Sequence, residues 1–464
     1  MSAAQNIARE KRRGAVLIIS MIFIVMFSAL AISMATMSGS NLQIAENQHQ
    51  ADGARACAES GLEIMRFWLN RVSIPDTAQT SQRLSQIAQA LQNELTANGI
   101  ANVTAGNVNS AVTIATVTLS SAKGQSFSAA ITSIDAQTLQ LDVTGRCGQA
   151  TRTIRANFRL AQRGHTVFDF GVATKGPLSL SGNVQLDDIN LSVGASVYIE
   201  SQNANLALSI SGNSQIAEDV FIVNPIANVD LQGGKAGIGG QTGQAAIDNH
   251  VAFGAPPVDF PAPDTQHFEQ YTSNIIDSNT DTSESTTYEN VRILAGTNPN
   301  FSGNITLRGV LFIESPNVVT FTGNTTITGM IVADGDVEDD SGTSQLNFHG
   351  NVVSQPVTSL PDETQFQQIR NETGTFVIAP GFRLSFTGNF TTLNGAIAGN
   401  GIEFSGNAGG TISGSIINYS DQVMTVSGNS DLYFNRSGVT QSPAGFVPQL
   451  ILEYTPSSYS EVML

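Results

Sequence analysis

The chain has 464 residues, a formal net charge of −17 and only 13% charged side chains. That length supports two or three domains with a large buried core, and the acidic balance argues against a nucleic-acid partner, which would need a basic footprint. Lysine is nearly absent while Gly, Ser, Thr and Asn are plentiful, a composition that suits a β-rich exported protein better than a helical cytosolic enzyme.

Gly14 to Ala45 contain no charged side chain, and Lys11, Arg12 and Arg13 stand immediately before them. A run of about 20 such residues crosses a bilayer as a helix, and the basic cluster stays on the cytoplasmic side. The expectation is a single-pass inner-membrane protein with a cytoplasmic N-terminus and everything after residue 45 exported. The run exceeds the ~7–15 apolar residues of a secretory signal, although Ala29-Leu30-Ala31 imitates a cleavage site. A plain signal anchor is a second reading, and a processed leader ending at Gly14 is a third. Helical character continues further. Leu62, Met65, Leu69 and Val72 recur at spacings of three and four, which places them on one helical face. The helix is expected to stop before Pro75.

Arg13-Gly14-Ala15-Val16-Leu17-Ile18, the apolar run, Asn41-Leu42-Gln43 and Ala58-Glu59-Ser60-Gly61-Leu62 occur in this order. Together they resemble the PilX-type N-terminal region of minor type IV pilins, up to about residue 70. The resemblance implies a leader at residues 1–14, removed by a prepilin peptidase between Gly14 and Ala15, and a transmembrane spine helix over 15–74. It also implies assembly with other pilin-like subunits into a pilus or pseudopilus. Major pilins carry a Glu at the fifth mature position, where this chain has Ile19. A subunit without that carboxylate suits the filament tip, where no neighbour's amine needs pairing.

Residues 75–164 read as an α+β pilin-like head, a generic small α+β domain being the alternative. Leu84, Ile87, Leu91 and Leu95 mark a helix closed by Asn98-Gly99. Strands are expected at 112–119, 126–134, 138–144 and 152–160. In the last of these, Ile154, Ala156, Phe158 and Leu160 share one face. Cys57 and Cys147 are the two cysteines. In an oxidising compartment they are a candidate disulfide tethering helix to sheet; two separately buried thiols are the alternative.

From residue 165 a unit recurs: alternating apolar residues, then Ser or Thr (once His349), then Gly-Asn. The copies are Gly182-Asn183, Gly212-Asn213, Gly303-Asn304, Gly323-Asn324, Gly350-Asn351, Gly388-Asn389, Gly406-Asn407 and Gly428-Asn429. A short repeat of this kind predicts a mainly-β parallel β-helix over 165–464, with a β-sandwich as the rival. Gly is expected at corners needing positive φ, and Asn in a side-chain ladder between coils. Irregular inserts are expected at 254–300 and 354–376. Each carries a Pro-Asp-(Glu)-Thr-Gln-(His)-Phe pattern, at Pro263–Phe268 and Pro361–Phe366. Gly445–Leu464 is expected to close the last coil. The repeats resemble the β-helical surface modules joined to PilX-type N-termini and, more loosely, bactofilin-like polymers.

Carboxylates at Asp187-Asp188, at Glu218-Asp219 and at Asp336, Glu338, Asp339 and Asp340 are the candidates for polysaccharide lyase or hydrolase chemistry. Asp334, Asp336, Glu338 and Asp340 superficially follow a Ca²⁺-loop spacing but lack the Gly and the distal Glu of an EF-hand, so a solvated turn is the plainer reading. No catalytic Ser/His/Asp pattern stands out, and no cofactor is implied. The expected protein is a non-enzymatic minor-pilin-like subunit. Its partners would be the inner membrane, the prepilin peptidase, other pilin-like subunits and surface glycans, with no nucleic acid. The alternatives are a membrane-anchored β-helical carbohydrate-active enzyme and a self-polymerising scaffold.

Overall fold

The structure, a computed structural model, describes residues 3–108, 110–189, 194–201, 205–339, 341–436 and 442–462. It divides into two units: residues 1–161 with 450–464, and residues 162–449.

In the first unit, helix α1 (Ala3–Leu69) is 67 residues long, about 100 Å at 1.5 Å per residue. Residues 16–49 are exposed, whereas Ala54, Cys57, Ala58, Leu62, Met65 and Leu69 form a buried stripe. Helix α2 (Thr80–Ala97) buries Ile87, Ala88, Leu91 and Leu95, and the backbone turns at Gly99 with φ +75°. The sheet contains β1 (Ser73–Pro75), β2 (Ala105–Val108), β3 (Ala111–Ser120), β4 (Gln125–Ser133), β5 (Thr138–Cys147) and β6 (Ala150–Arg163). Strands β2 to β6 pair antiparallel in sequence order. The strand Gln449–Val462 enters between β1 and β6. The C-terminal segment thus completes the head sheet rather than closing the last coil of the repeat, and residues 450–464 leave the repeat module to which 165–464 had been assigned. Its Leu450 and Leu452 are buried in the head core, which is the physical reason it goes there.

Glycine sets how closely α1 lies on this sheet. A Cβ at Gly145 would sit 2.2 Å from the Ala54 carbonyl oxygen and 2.3 Å from the Ala58 nitrogen. One at Gly61 would sit 2.7 Å from Phe127 and Val143. Helix backbone therefore rests on strand backbone at Gly145, with no side chain between them.

The second unit is built from parallel strands in three sheets. Its first pass is Val172–Thr174, Leu178–Gly182 and Gln185–Asp188. These pair in register with the second pass, Val197–Ile199, Leu206–Ser211 and Gln215–Ile216. On their other side they pair with the final pass, Ile416–Asn418, Met424–Gly428 and Asp431–Phe434. The chain thus enters in the middle of the stack. It winds outward to Val251–Phe253, then crosses to Asn274–Ile276, which ends the same sheet on the opposite side. From there it winds back until the last pass meets the first. Among the described residues ten pairings separate those two outer strands along the main path, a distance of about 48 Å at ~4.8 Å per strand. The connecting residues 254–273 must run largely extended to cover it. Pro256, Pro257, Pro261 and Pro263 favour that conformation.

The interior is a set of columns. Phe301, Phe321, Phe348, Phe386 and Phe404 stack with neighbouring centroids 4.7 to 5.1 Å apart and planes within 8 to 10°. Val426, Leu180, Ile210 and Leu231 extend the column in register. A second apolar layer covers the outer face of the first sheet. The irregular segment expected over 254–300 ends at residue 273, since Asn274–Ile276 and Thr287–Ile293 pair as strands of that sheet. What remains of it and the insert near 354–376 each bury a phenylalanine there, Phe268 and Phe366, beside Phe312, Met330, Ile378 and Phe446. The repeated Pro-Asp-Thr-Gln-Phe pattern therefore delivers an aromatic anchor to the same layer twice.

The corner glycines divide into two kinds. Gly182, Gly212, Gly406 and Gly428 have φ of +100°, +75°, +70° and +83°, the left-handed conformation expected of all eight. Gly303, Gly323, Gly350 and Gly388 are not left-handed, and their requirement is steric. A Cβ on Gly323, Gly350 or Gly388 would lie 2.0 Å from the carbonyl oxygen of the preceding glycine in the column.

Phe348→Ala removes a fully buried ring from the middle of the stack. It is expected to destabilise the second unit by about 3–5 kcal/mol, read as a shifted guanidinium unfolding midpoint of the full chain in detergent.

Candidate functional site

The surface that stands out lies on α1. Val16 to Ile44 are exposed at every position, Ile19 at 53%. The helix passes Gly14 and Ala15 without a break. It is long and apolar enough to cross a membrane, with a mean hydropathy of 2.7 in its most apolar window. Two of its hydroxyls bond back to the helix: Ser20 donates to the Leu17 carbonyl at 2.8 Å and Thr36 to that of Ile32 at 3.0 Å. Such back-bonding suits a medium without water. The charge-free run from residue 14 to 45 spans about 47 Å, more than the ~30 Å of a hydrocarbon core. Beyond it, Gln50 donates to Glu46 and Arg55 to Glu59 across single helical turns, the pattern of a water-facing helix.

Cys57 and Cys147 are both buried and both free thiols. The structure brings them to one crossing of α1 and β5. The Cys147 Sγ lies 2.8 Å from where a Gly53 Cβ would stand. Burial, with Cys147 nearby, pushes the Cys57 thiol up, while a hydrogen bond from the Ser126 backbone pulls it down.

The Gly-Asn corners form two ladder segments. Asn213 donates to Asn183 at 2.7 Å, Asn183 to Asn429 at 2.9 Å and Asn429 to Asn407 at 3.5 Å. Asn351 donates to Asn324 and Asn324 to Asn304, each at 3.1 Å. Among the described residues Asn389 joins neither segment.

The acidic loop is occupied with its own turns. The carboxylates of Asp334, Asp336 and Asp339 accept the backbone N–H groups of Gly335, Glu338 and Ser341. Asp340 lies outside the described residues, and among those described no three His, Cys, Asp or Glu side chains gather as a metal site. Of the other carboxylates, Asp188 accepts from the Gly194 N–H at 3.2 Å and Asp219 pairs with His250 at 2.8 Å.

One cluster carries no local sequence signal. His165, only 6% exposed, has its Nε2 2.9 Å from the Val447 carbonyl and its Nδ1 3.5 Å from Asp259. Gln449 donates to the same carboxylate at 2.9 Å. Tyr419 donates to the Pro261 carbonyl at 2.7 Å, and Lys175 lies over the Phe260 ring. These contacts pin the proline-rich crossing onto the stack. The His165 side chain beside it, then Gln449 and Lys175, hold the Asp259 carboxyl below its usual range.

Residues 13–63 match the family model described as PilX N-terminal, so the N-terminal region is pilin-like. Among solved structures the chain is similar to the competence-associated pilin ComZ from Thermus thermophilus. The identity is 12% and the TM-score 0.26, with 89% of this chain and 98% of that chain covered. No curated protein matches the chain.

A lowered carboxyl pKa stabilises the fold above the unfolded value, about 3.9, and that contribution is lost as pH falls through the folded value. Asp259→Asn is therefore expected to flatten the acid limb of a melting-temperature profile below about pH 4. At pH 7 it should change stability by less than about 1 kcal/mol, because the Asp259 side chain is 65% exposed and water screens the pair.

Proposed function

We propose that this chain is a non-enzymatic, minor-pilin-like subunit that is anchored in the inner membrane and then assembles with other pilin-like subunits into a type IV pilus or pseudopilus. The observation that carries this reading is the exposed apolar half of α1 within the pilin-like region. Its apolar length exceeds a bilayer core by several turns, and the surplus is surface suited to packing on similar helices. Lys11, Arg12 and Arg13 favour a cytoplasmic N-terminus, and a prepilin peptidase cuts between Gly14 and Ala15. Ile19, together with the bulk of the module between β6 and the C-terminal strand, favours a tip or low-copy position over the repeating shaft.

The second unit is read as a parallel β-helix displayed for adhesion or capping. In-register parallel pairing, the phenylalanine column and the asparagine ladder support that reading. Its glycan-facing surface is the outer face of the second sheet. There Asn347, Ser385, Glu403 and Thr425 stand in register beside Arg383, along a shallow cleft of about 310 Å³. The self-polymerising scaffold is the weaker reading. Helix α3 (Gly243–His250) buries Ala246 at one end of the stack. At the other end the backbone of Glu284 lies 2.6 Å from where a Gly303 Cβ would stand. Both features hinder the addition of further coils.

Intact-mass and N-terminal peptide analysis of the membrane-extracted protein is expected to find a mature chain starting at a methylated Ala15. A chain retaining Met1, or one starting near Ser33, would defeat the reading. Val25→Arg places a charge in the run at a cost of about 2.5–3.5 kcal/mol. It is expected to remove the protein from sheared filament fractions.

A further inference from the structure

We propose that Cys57 and Cys147 form an intramolecular disulfide that staples α1 to β5; only the source of the oxidant rests on the export reading above. On β5 the alternate residues Val143, Gly145 and Cys147 face the helix. They meet Gly61, the Ala54–Ala58 backbone and Gly53 respectively. Residues 53, 54, 57, 58 and 61 share one helical face. Cys57 stands four residues beyond Gly53, about 6 Å along the axis, and Cys147 places its Cβ 3.2 Å from the Gly53 Cβ position. The Cys57 sulfur accepts from the Ser126 backbone, and Ser126 pairs across the sheet with Arg146, the residue next to Cys147. Gly53 and Gly145 carry no side chain at this crossing, and the Ala54 carbonyl oxygen comes within 2.2 Å of a Gly145 Cβ position, the kind of close backbone approach a disulfide needs.

The bond forms by thiol–disulfide exchange. Cys147, 8% exposed against 3% for Cys57, loses its proton and attacks one sulfur of an oxidant disulfide, releasing the first oxidant thiol. The Cys57 thiolate then attacks the Cys147 sulfur of the mixed disulfide and releases the second. Two electrons pass to the oxidant, and the two protons lost by the cysteines leave with its two thiols. In the cell the oxidant is a protein disulfide of the exported compartment; in the test it is glutathione disulfide. The closed loop runs from residue 57 to 147 and restricts the unfolded head.

The test uses the reduced full chain in detergent, equilibrated with glutathione disulfide, alkylated, and digested with trypsin without reduction. The expected result is a single species joining the peptides Ala56–Arg66 and Cys147–Arg152. Reduction is expected to lower the melting temperature of the head by about 10 °C, and Cys57→Ser to abolish both effects. Separate alkylated peptides, glutathione on each cysteine, or bridges between copies would overturn the pairing, and the wild-type peptide map decides this even if the variant fails to fold. Alkylation of intact cells reads the compartment independently: linkage in the tube with free thiols in the cell overturns export, not the pairing.

Discussion

Parallel strands that share hydrogen bonds repeat at about 4.8 Å, and the second unit is organised around that distance. Whatever recurs at one place in each pass must stack on itself at this spacing. Planar phenylalanine rings fill it with offset contact, and asparagine amides bridge it with one hydrogen bond per step. A glycine carbonyl facing the next glycine leaves room for nothing larger than hydrogen. The short unit of alternating apolar residues followed by Gly-Asn is thus one solution to one spacing. Column, corner and ladder are its three parts.

The same closeness of backbones operates in the first unit for a different purpose. Gly145 lets α1 lie directly on β5, so a helix that is exposed over residues 16–49 is held by its second half. The two halves of α1 answer to different surroundings. Residues 16–44 present apolar side chains on all sides, as a helix does when its solvent is lipid or other helices. Residues 54–69 present an apolar stripe only to the sheet. The boundary falls where Glu46, Gln50, Arg55 and Glu59 begin to pair along the helix.

Entry in the middle of the stack explains how so long a module can be inserted in the chain between two strands of the head. The first and last passes are neighbours, so the chain leaves β6 and returns at Gln449 from adjacent passes. The module can therefore occupy the connection between two strands of the head. What this topology demands is a long crossing from one end of the stack to the other. The proline-rich segment supplies it, held by Tyr419, Lys175 and the His165–Asp259 pair, with Phe268 as its apolar anchor.

Much of this was legible in the residues. The charge-free run, the helical stripe of Leu62, Met65 and Leu69, the α2 stripe, the period-two strands and the Gly-Asn copies are local patterns. Local patterns follow from the 3.6-residue and two-residue periods of the backbone. The order of passes was not legible, because every pass presents much the same edge to its neighbours and local sequence does not say which pass meets which. The C-terminal strand read as a cap for the repeat, since an apolar strand fits either sheet, and only the vacancy between β1 and β6 decided its place. The steric role of Gly303, Gly323, Gly350 and Gly388, the shared crossing of Cys57 and Cys147, and the meeting of His165 with Asp259 all join residues far apart in the chain. The sequence by itself determined which segments are helix, strand and corner, because those depend on near neighbours. The tertiary structure alone decided who stacks on whom, because that depends on which distant surfaces bury each other.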